Sequence, residues 1–216
     1  MLVPHGAIRR EFSLLPELVR EVAGGDLKRC ELVSSHIDFL CRFLHDHHEG
    51  EDLLLWPWLR ERGGAQAESI VPVMEKQHEA IDAALAQVSV RLSAWRVSGQ
   101  GSDALADDLD LLRTTLLEHM DLEESQVLPL AAQCVTAAEW KRLEEHGLDK
   151  APKKTLPIAF GMVMYEGDPE IVKAGLAQAP LPARILMSFL GPRMYAAHAK
   201  RVHGTATPPR FNTIRG

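Results

Sequence analysis

Cysteine, tyrosine and long apolar runs are scarce in this chain of 216 residues, and each scarcity closes off a class of protein. Cys30, Cys41 and Cys134 are an odd number at spacings that make neither a disulfide framework nor a paired-cysteine metal site, so reduced, mostly buried thiols are expected. The longest apolar stretch, Leu156 to Met164, is far too short to span a bilayer. His5, Arg9, Arg10 and Glu11 interrupt the region where a signal peptide would need an unbroken apolar run, so a soluble, cytoplasmic protein is expected. Charge of one sign is not concentrated either: 24 basic against 30 acidic side chains leave −6 with no basic stripe, which argues against nucleic acid as a partner. No segment alternates apolar and polar residues long enough to propose a strand.

What remains is rich in Leu, Ala, Glu, Arg and, unusually, in histidine, with ten in all. Leu14, Leu15, Leu18, Val19 and Val22 recur at helical spacing before Gly24-Gly25, which predicts a first helix over about 4–23. Asp26 caps a second run over 27–61 that keeps Val33, Ile37, Leu40, Leu44 and Leu54 on one face until Gly63-Gly64. A third helix is expected over 67–97, broken at Ser98 to Gly101, and a fourth over about 103–134. Four long helices with short glycine-containing connections predict an all-α fold: an up-down-up-down four-helix bundle over 1–134, followed by a C-terminal helical extension over 135–216.

The chain also repeats itself. Asp38, Leu40, Leu44, His47, Glu51 and Pro57 recur as Asp110, Leu112, Leu116, His119, Glu123 and Pro129 at a constant offset of 72. The helices before them agree, with His5-Gly6-Ala7-Ile8 matching His78-Glu79-Ala80-Ile81 at an offset of 73. Each hairpin therefore offers one histidine and then His-x-x-x-Glu. Counted from the turns, each of the four histidines stands about 20 residues, or roughly 30 Å, along its helix, so all four share one layer. His47 with Glu51 and His119 with Glu123 are i,i+4 neighbours able to reach a common ion. Unpaired carboxylates in an apolar core carry a large desolvation cost that a metal removes. Four imidazoles and two carboxylates in a two-fold repeat fit two iron-sized ions bridged by the carboxylates.

These residues carry a resemblance to the bacterial hemerythrin-like, or HHE cation-binding, proteins. They are His5; His47 to Glu51 followed by Leu53-Leu54-Leu55-Trp56-Pro57; His78; and His119 to Glu123 followed by Val127-Leu128-Pro129. The resemblance covers about residues 1–134 and implies a non-haem di-iron centre, oxo- or hydroxo-bridged, with Glu51 and Glu123 bridging, His5, His47, His78 and His119 terminal, and no catalytic residues beyond these ligands. Oxygen-carrying hemerythrins have a fifth histidine one turn before the third-helix histidine, where this chain has Met74, a poor partner for ferric iron. The expectation is an open coordination position, or Glu75 as a substitute through its i,i+3 spacing to His78, and a centre that reacts with O2, H2O2 or NO in oxidative or nitrosative defence, as a peroxidase, a catalase-like enzyme or an NO-related oxidoreductase. Iron binding without turnover, gas or redox sensing, and reversible O2 binding are the alternatives.

His45 and His48 stand about 200° and 100° round the helix from His47, which predicts solvent or supporting roles for both. His36 lies about three turns below His47 on the same face, where a buried polar partner is expected and a second cation site is the alternative. Gly50, among the ligands, predicts a close helix approach or a local bulge. In the extension, Thr136 starts a helix to about His146; further helices are expected to about Leu176 and over 182–202, with a frayed end after Gly204. The apolar side of this extension is expected to pack on the bundle or form a homodimer, rather than to meet a membrane surface. Tyr165, Tyr195, His198 and His203 are its candidates for closing the vacant metal position.

Overall fold

The computed structural model describes residues 2–177 and 181–214, and among them every regular element is a helix. The first arm is α1 (Leu2–Arg20). The second joins α2 (Leu27–Gly50), a π-helical segment (Glu51–Leu55) and α3 (Trp56–Arg62). The third is α4 (Gly64–Ser98). The fourth joins α5 (Ser102–Leu122), a second π-helical segment (Glu123–Val127) and α6 (Leu128–Cys134). Each arm packs on two others, the first on the second and fourth and the third likewise, so the four enclose one interior. Leucine, isoleucine and valine at helical spacing line it, with Trp95 and Phe12 among the largest fully buried side chains. No described helix is long and apolar enough to cross a membrane.

The turns set the register. Asp26 accepts from the Arg29 amide at 3.0 Å and starts α2, and Gly99, at φ 64°, ends α4 in the left-handed region that glycine tolerates. The two turns touch: the Gly25 amide donates to the Gly99 carbonyl at 3.2 Å, so both hairpins are measured from the same end of the molecule. The first helix ends at Arg20, three residues before the expected limit, and the third begins at Gly64, three before it.

Both π-helical segments begin on a ligand-type glutamate and end two residues before a proline. Pro57 and Pro129 lack an amide hydrogen, and their rings crowd the carbonyl four residues back. The preceding turn opens, and the Trp56 and Leu128 amides donate to the Glu51 and Glu123 carbonyls in i→i−5 register. The second copy has this opening without a glycine, so proline and not Gly50 accounts for it. Gly50 serves the other expectation: a Cβ there would lie 3.2 Å from Leu143 on α7 (Ala137–Lys150), which packs against the second arm.

The extension wraps the bundle. Thr136 and Glu139 form a reciprocal cap at the start of α7, which runs through Gly147 to Lys150, past the expected end. Then come α8 (Leu156–Glu166), α9 (Pro169–Ala177), α10 (Leu181–His203) and α11 (Phe211–Ile214). α8 packs on α1 and on α10. The fully buried Arg10 guanidinium is the anchor, paired with Glu11 and Glu166 and lying 4.9 and 5.1 Å from the Tyr165 and Tyr195 ring centres. The stretch after Gly204 is not frayed through 214: Tyr165 donates to the Pro208 carbonyl at 2.8 Å, and the Phe211 amide to Glu166 at 3.0 Å. Leu181, Ile185, Leu186 and Phe189 of α10 remain exposed.

α8 and α10 meet backbone to backbone. A Cβ at Gly161 would fall 2.0 Å from the Gly191 carbonyl oxygen, so Gly161→Ala must part the two helices. Overpacking of this kind costs about 1–3 kcal/mol, and thermal denaturation should show a fall of about 2–4 °C per kcal/mol. Gly175→Ala, with open space around it, should be neutral or stabilising in the same assay.

Candidate metal centre

The register set by the turns brings His5, His47, His78, His119, Glu51 and Glu123 to one level, and His48 joins them. Two groups of potential donors share Glu51: His48, Glu51, His78 and His119 form one, and His5, His47, Glu51 and Glu123 the other, with the donor atoms of each within 4.8 Å of one another. The pocket lies between two apolar layers. Met74, Leu55, Trp56, Val71 and Val127 close one end, and Ile8, Leu44, Ile81, Leu116 and Met120 lie towards the other.

Nitrogens converge on the carboxylates. His5 Nε2 is 3.1 Å from Glu123 Oε2 and 3.0 Å from His47 Nε2. His47 Nε2 is 3.2 Å from Glu51 Oε1, His78 Nε2 3.4 Å from Glu51 Oε2, and His119 Nε2 4.0 Å from Glu123 Oε2. Both carboxylates are fully buried, and among the described residues none of their four oxygens has a hydrogen-bond partner; nor do Nε2 of His78 and of His119. Buried polar groups are ordinarily satisfied, so this concentration of orphaned donor atoms marks a place built for cations. Imidazole and carboxylate are a donor set suited to first-row transition ions, and the residues fit such a group.

The outward nitrogens are held. His5 Nδ1 lies 2.8 Å from Glu124, His78 Nδ1 2.7 Å from Asp52, and His119 Nδ1 3.2 Å from the Gln77 side-chain oxygen. Arg9 pairs with Glu124 and the Trp56 indole donates to Asp52 at 2.8 Å, which fixes those acids in turn. An acceptor on Nδ1 keeps a proton there, so that a cation entering the pocket displaces only the Nε2 proton and meets an inward-facing lone pair. Asp52 and Glu124 occupy equivalent positions of the repeat, and each orients the lone histidine of the other arm beside it. Sequence reasoning missed both, although an acid directly after each ligand-type glutamate was the signal.

Charge in the pocket follows the carboxylates. Burial disfavours a charged His5, but Glu123 and Glu124 outweigh it and raise its pKa to about 9; Asp52 and Glu51 do the same for His78, also to about 9. Burial and neighbouring imidazoles push His119 down to about 3 and hold His47 and His48 well below the usual range. Burial and the charge of Glu123 lift Glu51 to about 7, whereas His5 keeps the equally buried Glu123 low.

Three expectations need correction. His48 is buried, not solvent-facing: its ring stacks on His78 at 4.2 Å between centres and meets His119 edge-on at 5.0 Å. The inward line of the helix runs between His47 and His48, so that Glu51 is i+4 from one and i+3 from the other; the angle from His47 alone concealed this. His45 is exposed, as expected. Met74 is fully buried in the apolar layer that closes one end of the pocket, and Glu75 does not stand in for a ligand there: it faces away, paired with Arg60. Tyr165, Tyr195, His198 and His203 do not approach the pocket; the last three collect around Glu11 and His36, deeper along the bundle.

A helical bundle with a buried histidine–carboxylate pocket defines a metal-binding helical protein. The hemerythrin HHE cation-binding domain family matches residues 1–131, and the chain belongs to it. No curated protein and no solved structure matches the chain. The match ends within α6, so the extension lies beyond it.

His48→Ala should lower the metal retained per chain in elemental analysis after dialysis, whereas His45→Ala should not. Asp52→Ala and Glu124→Ala, which touch the pocket only through a histidine, should each weaken metal binding about 10–100-fold in a competition titration against a chelator.

Proposed function

We propose that the pocket holds two iron ions bridged by Glu51 and Glu123, with His5, His47, His48, His78 and His119 as terminal ligands, and that the protein reacts with a small oxidant or gas, O2, H2O2 or NO, in oxidative or nitrosative defence. Iron in such a site supplies one-electron redox change and a coordination position for a small molecule. The observation that carries the reading is the donor count: five imidazoles and two carboxylates offer nine donor atoms, against roughly twelve that two six-coordinate ions would take. Positions remain for a small ligand even with His48 in place.

The chain's own groups serve the same end. The apolar layers around Met74 and Leu44 keep bulk water from the pocket. Glu124, hydrogen-bonded to His5, also lines a surface cleft of ≈ 370 Å³ with Arg9, Asp121, Val3 and Gly6, and so stands between the pocket and solvent as a carboxylate that His5 and Arg9, outweighing its burial, hold ionised with a pKa of about 2.

His48 favours a second reading, reversible O2 binding or sensing, because it brings the imidazoles to five, the number that oxygen-carrying hemerythrins are expected to use. Stopped-flow spectra of the reduced, iron-loaded protein mixed with O2 separate the two. A transient change that ends in the ferric spectrum, with peroxide turnover in a steady-state assay, is expected. A stable spectrum that reverses when O2 is removed would establish the second reading instead. Glu51→Ala and Glu123→Ala should each abolish the ferric bands and leave well under the wild-type iron content.

A further inference from the structure

A second cluster lies where the extension meets the bundle. Glu11 comes from α1, His36 from α2, and His203 from the last position of α10; Glu11 is fully buried and His36 1% exposed. His36 Nε2 is 3.3 Å and His203 Nε2 3.2 Å from the same atom, Glu11 Oε2. The other carboxylate oxygen is already saturated: Tyr195 donates to Glu11 Oε1 at 2.9 Å and Arg10 donates to it as well. Oε2 faces the two imidazoles, within hydrogen-bond geometry of His203 Nε2 and outside it for His36 Nε2.

His36 supplies the second observation. Its Nδ1 lies 3.0 Å from His198 Nε2, while its Nε2 is buried with no hydrogen-bond partner among the described residues. If His36 Nδ1 carries the proton and donates to His198, the Nε2 lone pair faces a carboxylate oxygen, an arrangement that only a cation between them makes favourable. If Nε2 carries the proton, the contact still falls outside hydrogen-bond geometry. Ligand atoms around a tetrahedral ion with bonds of about 2.0–2.1 Å stand about 3.3 Å apart, which the two contacts to Oε2 match at 3.3 and 3.2 Å, the second of them also meeting hydrogen-bond geometry.

We propose that Glu11 Oε2, His36 Nε2 and His203 Nε2 form a second, separate cation site that takes a zinc-class divalent ion and clamps the extension to the bundle. His198 orients His36 as an outer partner, and Tyr195 and Arg10 orient Glu11. Arg10 does not repel the ion outright, because it sits on the Oε1 side and is matched by Glu166 at 3.4 Å. Arg29 holds the end of α10 through the Arg201 carbonyl at 2.7 Å and the Val202 carbonyl, which places His203. Three protein donors leave a fourth position for water.

The test is zinc titration of the iron-loaded full-length chain against a chromophoric chelator, with elemental analysis of the product. Wild type should take up about one zinc ion per chain beyond its iron, and zinc should raise its melting temperature. His203→Ala, at a helix end, and Glu11→Gln should each weaken this uptake at least tenfold with iron content unchanged. Glu51→Gln should lose iron and keep this zinc site. Circular dichroism checks that each variant is folded. No additional zinc in wild type, unchanged affinity in His203→Ala, or loss of the zinc only in Glu51→Gln would overturn the proposal.

Discussion

Glu51 and Glu123 lie fully buried in an apolar bundle, and among the described residues none completes a hydrogen bond to any of their four oxygens. Negative charge in such surroundings needs positive charge close by, and the structure is arranged around that need. Imidazoles from all four arms turn their Nε2 atoms towards the two acids, and the opposite edges of three of those rings are held, two by acids farther out and one by the Gln77 amide. Apolar layers cover the pocket on either side. The register of the hairpins, the tautomers of the histidines and the sites of helix opening all serve one small charged volume.

Duplication explains how a chain of this size assembles it. Each hairpin contributes a lone histidine, a His-x-x-x-Glu turn, an orienting acid and a proline that opens the helix after the glutamate. The copies have since diverged in a useful way. The position after the ligand histidine is His48 in one and the buried Met120 in the other, so the pocket gains its fifth imidazole from the second arm while Met74, on the third, serves packing.

The extension is joined to the bundle by polar contacts as much as by apolar ones. Arg10 and Glu11 are adjacent on α1, below His5, and both turn outward from the centre to meet α8 and α10. Through Tyr165, Glu166, Tyr195, His198 and His203, the same helix that supplies a candidate ligand to the bundle pocket anchors the C-terminal layer. The Gly161–Gly191 contact draws α8 and α10 close enough for this network to form.

The all-α class, the long arms and the meeting of six donor side chains were legible from local signals: helical periodicity, glycine stops, a Ser/Thr/Asp cap and an exact spacing between copies. Helical residues at i and i+4 share a face wherever the helix is placed, and equal distances from paired turns put side chains at one height. His48 was not legible, because helical angle is relative: whether His47 alone or the midpoint of His47 and His48 faces inward depends on how the second arm is rolled against its neighbours. The same holds for Asp52, Glu124 and Gln77, whose partners lie on other arms, and for His36, which lies well over a hundred residues from His198 and His203. Sequence by itself determined which side chains could act together within one helix and one hairpin; only tertiary packing decided which of them meet across helices, because the roll of each arm and the return of the extension are set by contacts between segments that no local spacing encodes.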